Sequence, residues 1–317
     1  MKKKVFIDGG AGTTGLRIVE RLESREEIEL IRLPEELRKD LSARKQALNG
    51  ADVVFLCLPD DAAREAVSLI DNPDVVVIDA STAHRTDPDW AYGFPELGER
   101  FERGVQTSKR IANPGCHASG FIALVYPLVE AGLLGKDALL SCFSITGYSG
   151  GGKSMIKDYE TDGRAEWLDA PARYGNRQTH KHLKEMAGIC GLENAPLFCP
   201  VVADFYSGML VSVPIFQKQL KAGATADDIR AVYRKKYGGE IVTYAENPDE
   251  SAPKDGFSSA TAYAGLDGMQ ITVDGNEERI LLTALYDNLG KGASGSAIEC
   301  MNVALGFEKT KGLVLRK

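Results

Sequence analysis

The segment KKVFIDGGAGTTGLRIVERLE (Lys3–Glu23) decides the fold of the chain. Its apolar start predicts a buried strand, and Leu16, Val19 and Leu22 recur at helical spacing after it. The glycines between them satisfy the pattern Gly-x-Gly-x-x-Gly. In that pattern, glycines make a tight turn, let the backbone approach a pyrophosphate and let the helix pack on the strand. The segment therefore predicts the phosphate loop of a dinucleotide-binding domain.

The residues of this loop are the first predicted cofactor contacts, because the helix after it offers unpaired N–H groups to a phosphate. They are Gly9, Gly10, Ala11, Gly12, Thr13, Thr14 and Gly15. An acidic residue about 20 positions further on holds the ribose in NAD enzymes, and Glu35 or Glu36 fits that role. A basic residue there suits the 2′-phosphate of NADP, and the candidates are Arg32, Arg38 and Lys39. The basic residues favour NADP(H), and we assign Arg38 to the cofactor.

Short apolar runs continue after this segment. ADVVFLCLP and DVVVIDAS are typical of strands buried on both faces of a parallel sheet. The segment between them, DDAAREAVSLI, has its apolar residues at helical spacing. Strands alternate with helices to about residue 112, which predicts an α/β fold with a doubly wound parallel sheet of the Rossmann type. We place the dinucleotide-binding domain at residues 1–115 plus 292–317.

The pattern changes after residue 115. Runs such as ALLSCFSIT, GMLVSVPIFQ and RILLTALYDN alternate polar and apolar residues, which predicts a mainly antiparallel sheet with one covered face in an α+β domain. Helices are expected near 179–190 and 225–237, and a last helix at about 292–306 is expected to return to the first domain. We assign residues 116–291 to catalysis, substrate binding and oligomerisation.

Composition narrows the classes of partner. The net charge of −7 argues against a nucleic-acid or anionic-membrane surface, since both favour a basic excess. The most apolar stretch, FIALVYPLVEAGLL, is too short and too interrupted to span a membrane. The N-terminus lacks the apolar region of a signal peptide. Six scattered cysteines fit a reducing cytoplasm, so we expect a cytoplasmic protein.

One of these cysteines is a candidate nucleophile. In ANPGCHASG, an Asn-Pro-Gly turn precedes Cys116, which then stands at the start of a helix. The N–H groups and the dipole of a helix start stabilise a thiolate. A thiolate can form a covalent acyl-enzyme next to a nicotinamide. The other five cysteines are interpreted as structural.

The segment NRQTHKHLKEM supplies candidates for an acid–base group. His180 or His182 could serve, and because they lie two residues apart they do not form a metal pair on a helix. No metal site is predicted. His84 and His117 suit the role less well, and we expect them to bind a ligand or to face solvent.

A second glycine loop, GYSGGGKS (Gly147–Ser154), fits the P-loop pattern of nucleotide hydrolases and kinases. The region is expected to be antiparallel, and Pro200 is expected to interrupt the later strand that ends at Asp204. Both arguments disfavour a P-loop. The alternatives are a flexible turn or an anion-binding loop in which Lys153 and backbone N–H groups face a substrate phosphate.

Together, GGAGTTG, ANPGCHASG, HKHLKE and DNLGKGASGSAIECMN resemble N-acetyl-gamma-glutamyl-phosphate reductase, in its shorter subfamily, over nearly the whole chain. YGFPEL (Tyr92–Leu97) also resembles a family motif. The resemblance implies a Rossmann domain, NADPH, a homodimer or homotetramer formed through the substrate domain, and reduction of an acyl phosphate in arginine biosynthesis. Aspartate-semialdehyde and glyceraldehyde-phosphate dehydrogenases share the general plan.

The resemblance also implies residue roles. Cys116 matches the family nucleophile and His182 the acid–base group, while Lys184 replaces the usual proline of the histidine motif. The cofactor residues it suggests are Ser81, Asn288, Lys291 and Gly292. The substrate residues assigned from it and from the loops are Arg85, Asn113, Ser149, Gly150, Lys153 and His180.

Other functions compete with this interpretation. Within the same class, the substrate could be aspartyl or N-acetyl-aminoadipyl phosphate. From other classes, Lys153 could serve a P-loop kinase or ATPase, or the chain could be an NADP-sensing regulator without catalysis. Assays with the three semialdehydes separate the possible substrates. Mg-ATP binding would indicate the kinase or ATPase, and tolerance of Cys116→Ser would indicate the regulator.

Overall fold

The opening segment contributes β1, the second strand of a six-stranded parallel sheet in the computed structural model, which describes residues 2–246, 254 and 256–316. The strands are β1 (Lys3–Asp8), β2 (Ile28–Ile31), β3 (Val53–Leu56), β4 (Val76–Asp79), β5 (Ala91–Tyr92) and β6 (Arg110–Ala112). Their order is β2-β1-β3-β4-β6-β5, and each neighbouring pair is parallel.

Helices cover both faces of this sheet. They are α1 (Thr13–Glu23), α2 (Leu41–Gly50), α3 (Asp60–Ser68) and α4 (Glu99–Thr107). Because successive side chains of a strand point to opposite faces, Val53 and Phe55 of β3 share a core with α1 and α4, whereas Val54 and Leu56 share one with α2 and α3. The predicted doubly wound architecture is confirmed.

A second sheet has seven strands in the order β11-β12-β13-β10-β7-β9-β8. They are β7 (Ser141–Gly147), β8 (Ala172–Arg173), β9 (Leu197–Ala203), β10 (Met209–Phe216), β11 (Val242–Tyr244), β12 (Met269–Gly275) and β13 (Arg279–Tyr286). Most pairs are antiparallel, as predicted, but β7 pairs with β9 and β11 with β12 in parallel.

One face of the second sheet is covered by helices. The helices of this region are α5 (Cys116–Glu130), α6 (Gly152–Glu160), α7 (His182–Cys190) and α8 (Ala226–Lys236). Along β10, Met209, Val211 and Val213 are buried while the residues between them are partly exposed. Helix α5 packs on β10 and β13, and α7 and α8 pack on α5. The predicted alternation with one covered face is therefore confirmed.

The last helix, α9 (Gly295–Leu305), belongs to the core of the first sheet. Its residues Ile298 and Met301 are fully buried there, and Asn302 accepts a hydrogen bond from Arg25 Nη1 at 2.7 Å. The predicted return of the C-terminal helix is confirmed. A π-helical turn at Gly290–Ser294 precedes α9, so the regular helix starts three residues after the predicted position.

The chain divides into two compact units. Unit 1 contains Met1–Pro95, Glu99–Pro114 and Ala293–Leu313, and unit 2 contains Glu96–Gly98, Gly115–Gly292 and Val314–Lys317. The functional assignment of these units stays a prediction. Within the described residues, none of the helices is long and apolar enough to cross a bilayer.

Candidate active site

Cys116 is the first residue of α5 and is partly exposed. Gly115 caps this 15-residue helix without a side chain, so the N–H groups of the first turn face the space around the thiol. Burial raises the pKa of Cys57 to about 12, helped by the charges of Asp79 and Asp8. Burial also raises the pKa values of Cys142 and Cys190 above the usual range. The helix start thus singles out Cys116 for thiolate chemistry.

A buried carboxylate ties the helix of Cys116 to the helix of His182. Glu185 lies in the first turn of α7 and accepts a hydrogen bond from Gly115 N at 2.8 Å. His182 is the first residue of α7 and is also buried. The bond joins the N-terminus of α5 to the N-terminus of α7. Sequence reasoning did not find this contact, because the two residues lie 70 positions apart.

One further group fixes the backbone of Cys116, and Gly292 lies close to its side chain. The hydroxyl of Tyr286 donates to Cys116 O at 2.5 Å and accepts from Gly120 N at 3.1 Å. A Cβ atom added at Gly292 would lie 3.1 Å from the Cβ of Cys116. The nearness of Gly292 to the nucleophile fits a segment at the reaction centre, and its predicted role in cofactor binding stays a prediction.

Three histidines surround the start of α5. The ring of His117 lies 5.9 Å from that of His180 and 5.7 Å from that of His182, and the last two rings are 4.7 Å apart. His182 N donates to His180 Nδ1 at 3.2 Å. The structure thus brings both acid–base candidates against the residue that follows the nucleophile.

His117 does not face solvent, contrary to one sequence expectation. Its Nδ1 lies 2.6 Å from Ser144 Oγ, and its Nε2 lies 2.6 Å from the hydroxyl of Tyr174. Burial, and secondarily His180, lowers the pKa of His117 to about 3. Burial and the charge of Cys116 raise the pKa of Tyr174. Sequence reasoning did not select Ser144 or Tyr174, because no local motif marks them.

The loop GYSGGGKS connects β7 to α6 through a short 3₁₀ turn, Tyr148–Gly151. Ser149 is buried and accepts a hydrogen bond from Asn288 Nδ2 at 2.9 Å, while Asn288 Oδ1 accepts from Gly208 N. Two residues predicted for substrate and cofactor therefore meet each other. Gly150 and Lys153 are exposed on the same loop and helix start.

Of the two sequence arguments against a P-loop, the interruption at Pro200 is wrong, and the antiparallel expectation holds for β7 with β10 but not for β7 with β9. The strand β9 runs through Pro200 and lies parallel to β7, with Ser144 opposite Pro200. Asp204 follows this strand directly, as the acid of a P-loop enzyme would. Arg164 binds that carboxylate, however, with Nη1 at 3.0 Å and Nη2 at 2.5 Å.

Lys291 forms a buried ion pair with Glu96, whose Oε2 lies 2.8 Å from Nζ. Glu96 belongs to the YGFPEL motif, so two segments that carry the family resemblance meet here. Lys291 was predicted as a cofactor residue, and that role stays a prediction. The pairing was not foreseen, because the residues lie 195 positions apart.

The first glycine loop fits a dinucleotide. Gly9 has φ +83°, and a Cβ there would lie 2.3 Å from Cys57 O. A Cβ at Gly15 would lie 2.7 Å from Gly10 Cα, so only glycine lets α1 approach the loop this closely. Gly12 caps α1 without a side chain, which leaves the helix start open to a phosphate.

Buried polar groups follow the ends of β4 and β6. Asp79 accepts from Ser81 N at 2.8 Å and from Ser81 Oγ at 2.7 Å, and its Oδ2 lies 2.6 Å from His84 Nδ1. The ring of His84 stacks on Trp90 at 4.0 Å, so His84 does not face solvent either. These contacts fix the loop that carries Ser81.

Arg85 and Asn113 are both buried in unit 1. Arg85 Nε donates to Asn113 O at 2.9 Å and its Nη2 donates to Ala80 O at 2.9 Å. Asn113 donates to Ala293 O at 3.0 Å and accepts from Ser296 Oγ at 3.1 Å. These bonds hold the end of β6 to the start of α9. The substrate roles of both residues stay predictions.

The end of β2 carries exposed basic residues. Arg38 and Lys39 are exposed, and Arg32 pairs with Glu23 at 2.5 Å. Deeper in unit 1, the guanidinium of Arg44 binds Asp8 Oδ2 at 2.8 Å and Glu65 Oε2 at 2.9 Å. That pair neutralises the carboxylate directly before the glycine loop, and sequence reasoning missed it.

Comparisons with known proteins agree with this geometry. The model of the semialdehyde dehydrogenase NAD-binding domain matches residues 33–102, and that of the semialdehyde dehydrogenase dimerisation domain matches residues 116–288. Solved structures of aspartate semialdehyde dehydrogenases share the fold. That of Vibrio cholerae enzyme II complexed with ASA has a TM-score of 0.69 at 17% identity, covering 96% of this chain and 99% of that one. That of the Candida albicans enzyme with NADP has a TM-score of 0.63 at 14% identity, with the same coverage.

Curated relatives named N-acetyl-gamma-glutamyl-phosphate reductase are much more similar. A protein of a Nostoc species is 43% identical over 98% of this chain and 99% of its own length. Proteins of Rhizobium meliloti and a Chelativorans species are 44% and 45% identical over 96% of this chain and 99% of theirs. The chain therefore belongs to the N-acetyl-gamma-glutamyl-phosphate reductase family of semialdehyde dehydrogenases.

Proposed function

We propose that the chain reduces N-acetyl-L-glutamyl 5-phosphate to N-acetyl-L-glutamate 5-semialdehyde with NADPH and releases phosphate, as a step of arginine biosynthesis. The observation that carries the proposal is the bond from Gly115 N to Glu185, which joins the helix of Cys116 to that of His182. The arrangement suits nucleophilic catalysis, which needs an activated nucleophile with a positioned acid–base group. The names of the relatives supply the substrate.

The reaction begins at Cys116. Its thiolate attacks the acyl carbonyl, the bond from that carbon to the phosphate oxygen breaks, and a thioester and inorganic phosphate result. The positive charges of Arg85 and Lys153 are proposed to stabilise the departing phosphate. The N–H groups of the first turn of α5 are proposed to bind the oxyanion formed during attack.

Reduction follows on the thioester. When bound, NADPH supplies a hydride to the thioester carbon. His182 then protonates the oxyanion to give a thiohemiacetal. When the C–S bond breaks, the hydroxyl proton returns to His182, the semialdehyde leaves and the Cys116 thiolate is restored. His180 is proposed to contact the substrate beside it.

The cofactor is proposed to be NADP(H) rather than NAD(H). The loop Gly9–Gly15 would hold the pyrophosphate at the start of α1. Arg38, with Arg32 and Lys39 near it in sequence, would bind the 2′-phosphate, whereas Glu35 or Glu36 would instead hold the ribose of NAD. Ser81, Asn288, Lys291 and Gly292 are proposed to complete the cofactor site.

We also propose that unit 2 forms a homo-oligomer, a dimer or a tetramer. The outer face of its sheet exposes apolar side chains on neighbouring strands, namely Phe143, Leu197, Phe216 and Leu281. An apolar patch of this kind commonly marks an interface. Sedimentation tests this: the wild type should sediment as an oligomer and Phe143→Glu as a smaller species. A monomeric wild type would contradict the oligomer, and a Phe143→Glu variant of the same mass as the wild-type oligomer would contradict this interface.

The function is tested in the reverse direction at 340 nm. Wild-type protein with N-acetylglutamate semialdehyde, phosphate and NADP⁺ should form NADPH, and omission of phosphate should stop the reaction. Cys116→Ser should lower kcat by more than about 10³-fold, with Cys199→Ser as the matched control at a partly exposed thiol outside the site. Faster turnover of the aspartate or N-acetyl-aminoadipate semialdehyde would reassign the substrate. Substantial activity of Cys116→Ser would reject the mechanism.

A further inference from the structure

His117 bonds through both ring nitrogens although it follows the nucleophile directly in the chain. We infer that His117 is a positioning residue, which joins Ser144 and Tyr174 into one hydrogen-bonded chain that holds His180 and His182 beside Cys116. The inference rests on the proposed function, in which Cys116 and His182 do the chemistry. We call Ser144, His117 and Tyr174 together the His117 chain.

The His117 chain links three separate parts of unit 2. Ser144 is fully buried on the helix-covered face of β7, and its Oγ lies 2.6 Å from His117 Nδ1. Tyr174 follows β8, and its hydroxyl lies 2.6 Å from His117 Nε2. His117 itself is on the first turn of α5. A strand, a loop and the helix of the nucleophile therefore meet at one imidazole.

The His117 ring also packs beside the rings of the two acid–base candidates, His180 and His182. Its centroid lies 5.7 Å from that of His182 and 5.9 Å from that of His180, while Phe198 of β9 closes another side at 5.3 Å. The ring centroid of Tyr174 lies 6.1 Å from that of His180. A shift of the His117 ring would therefore move the acid–base group, and displacements of about 1 Å cost up to about 100-fold in rate.

The protonation state of the His117 ring decides which groups of the His117 chain donate hydrogen bonds and which accept them. A neutral imidazole has one donor and one acceptor nitrogen, so one hydroxyl must donate to the ring while the other accepts from it. The low pKa of His117, about 3, keeps the ring neutral at physiological pH. The titratable groups around the ring are Tyr174, His180, His182 and Cys116. A positive charge on His117 would repel a positive charge on His180 or His182. A neutral His117 therefore allows one of these two histidines to carry the proton as the acid–base group.

Kinetics of single and combined variants test the inference. His117→Phe should lower kcat by about 10- to 100-fold while KM for the semialdehyde stays within about threefold. His117→Gln should recover part of that loss, because its amide keeps one donor and one acceptor. Tyr174→Phe and Ser144→Ala should each lower kcat but have no further effect in His117→Phe. Ser68→Ala, exposed at the end of α3 in unit 1, is the control.

Three kinetic results would overturn the inference. They are a wild-type kcat in His117→Phe, independent and multiplicative effects of the three variants, and loss of one limb of the pH–rate profile in His117→Phe. The last result would make His117 the acid–base group itself.

A substrate-free measurement covers the case in which His117→Phe does not fold. The chain has four histidines, so labelled imidazole nitrogens can be followed individually by NMR, with His117 assigned by its loss in His117→Gln. The His117 ring should stay neutral between about pH 5 and pH 9, and titration within that range would overturn the inference. A neutral His117 in a protein that turns over none of the semialdehydes would reject the proposed function instead.

Discussion

The two glycine loops of the chain follow a strand and precede a helix, but their glycines meet different surroundings. In GGAGTTG, a Cβ at Gly9 would lie 2.3 Å from Cys57 O and one at Gly15 2.7 Å from Gly10 Cα. In GYSGGGKS, Gly152 also has positive φ, at +73°, but nothing lies within 4 Å of its Cβ position. The first loop needs glycine for close packing within the loop. In the second, only Gly147, the last residue of β7, meets backbone this closely, at 2.6 Å from Tyr206 O, and Gly152 is needed only for the backbone turn.

The polar contacts of the two loops differ in the same way. Both helices start at a glycine cap, Gly12 for α1 and Gly151 for α6, so the difference lies inside the loops. The second loop has the buried hydroxyl of Ser149 at its centre, bound to Asn288, and the exposed Lys153 follows it. A matching pattern of glycines therefore says less about a ligand than the atoms packed against them.

The largest effect is expected at the crowded glycine. Gly9→Ala combines a left-handed backbone with a direct clash, so we expect a loss of about 2–4 kcal/mol in the free energy of unfolding and no measurable NADP⁺ binding. Gly152→Ala is the matched control, since it keeps the strain without the clash and should cost about 1 kcal/mol. Urea denaturation and cofactor fluorescence measure both. Equal losses in the two variants would contradict the comparison.

Lys153 should matter for the acyl phosphate and not for the dinucleotide. Removing a charged partner of a phosphate costs about 2–3 kcal/mol, so Lys153→Ala should lower kcat/KM for phosphate by about 30- to 160-fold. Binding of NADP⁺ should be unchanged. Lys157→Ala, exposed on the same helix, is the control. If the wild type instead bound Mg-ATP and Lys153→Ala did not, the second loop would be a nucleotide site after all.

Arg38 should matter for the dinucleotide and not for phosphate. Arg38→Ala should raise KM for NADP⁺ by about tenfold and leave KM for NAD⁺ unchanged, because only NADP⁺ carries the 2′-phosphate. Arg103→Ala, at an exposed position of α4, is the control. A proportional rise in both KM values would exclude a role in 2′-phosphate recognition.

The smallest effect is expected from the hydroxyl inside the second loop. Ser149→Ala takes an acceptor from the buried amide of Asn288 and should cost about 1–2 kcal/mol of unfolding free energy. The exposed Ser154→Ala should be neutral within about 0.5 kcal/mol. Thermal unfolding of both variants decides. If Ser149→Ala were as neutral as Ser154→Ala, the loop would not depend on this contact.

Local patterns predicted the layers of unit 1 and the position of Cys116. The strand, turn and helix of Lys3–Glu23 follow from neighbouring residues, and so does the helix start after Asn113-Pro114-Gly115. The helix at 179–190 was predicted within a few residues, although it begins at His182. Such features depend on spacing along the chain, which a sequence displays directly.

Contacts between distant residues were not predictable in this way. The bonds of Gly115 with Glu185, Lys291 with Glu96 and Asp8 with Arg44 join buried groups that no periodicity connects. His117 was expected to bind a ligand or face solvent, and its burial depends on β7 and the loop after β8. The parallel pairing of β7 with β9 was missed because the alternation of side chains is the same in both sheet types.

The central claim is that the reaction runs through a thioester on Cys116, with the dinucleotide on the first glycine loop. The most direct measurement is mass spectrometry of cofactor-free protein mixed with N-acetylglutamyl phosphate, followed by peptide mapping. We predict one N-acetylglutamyl group on the peptide that contains Cys116, its absence in Cys116→Ser, and its loss from the wild type when NADPH is added. Acylation at a different residue, or an unmodified wild-type protein that still forms the semialdehyde, would contradict the account.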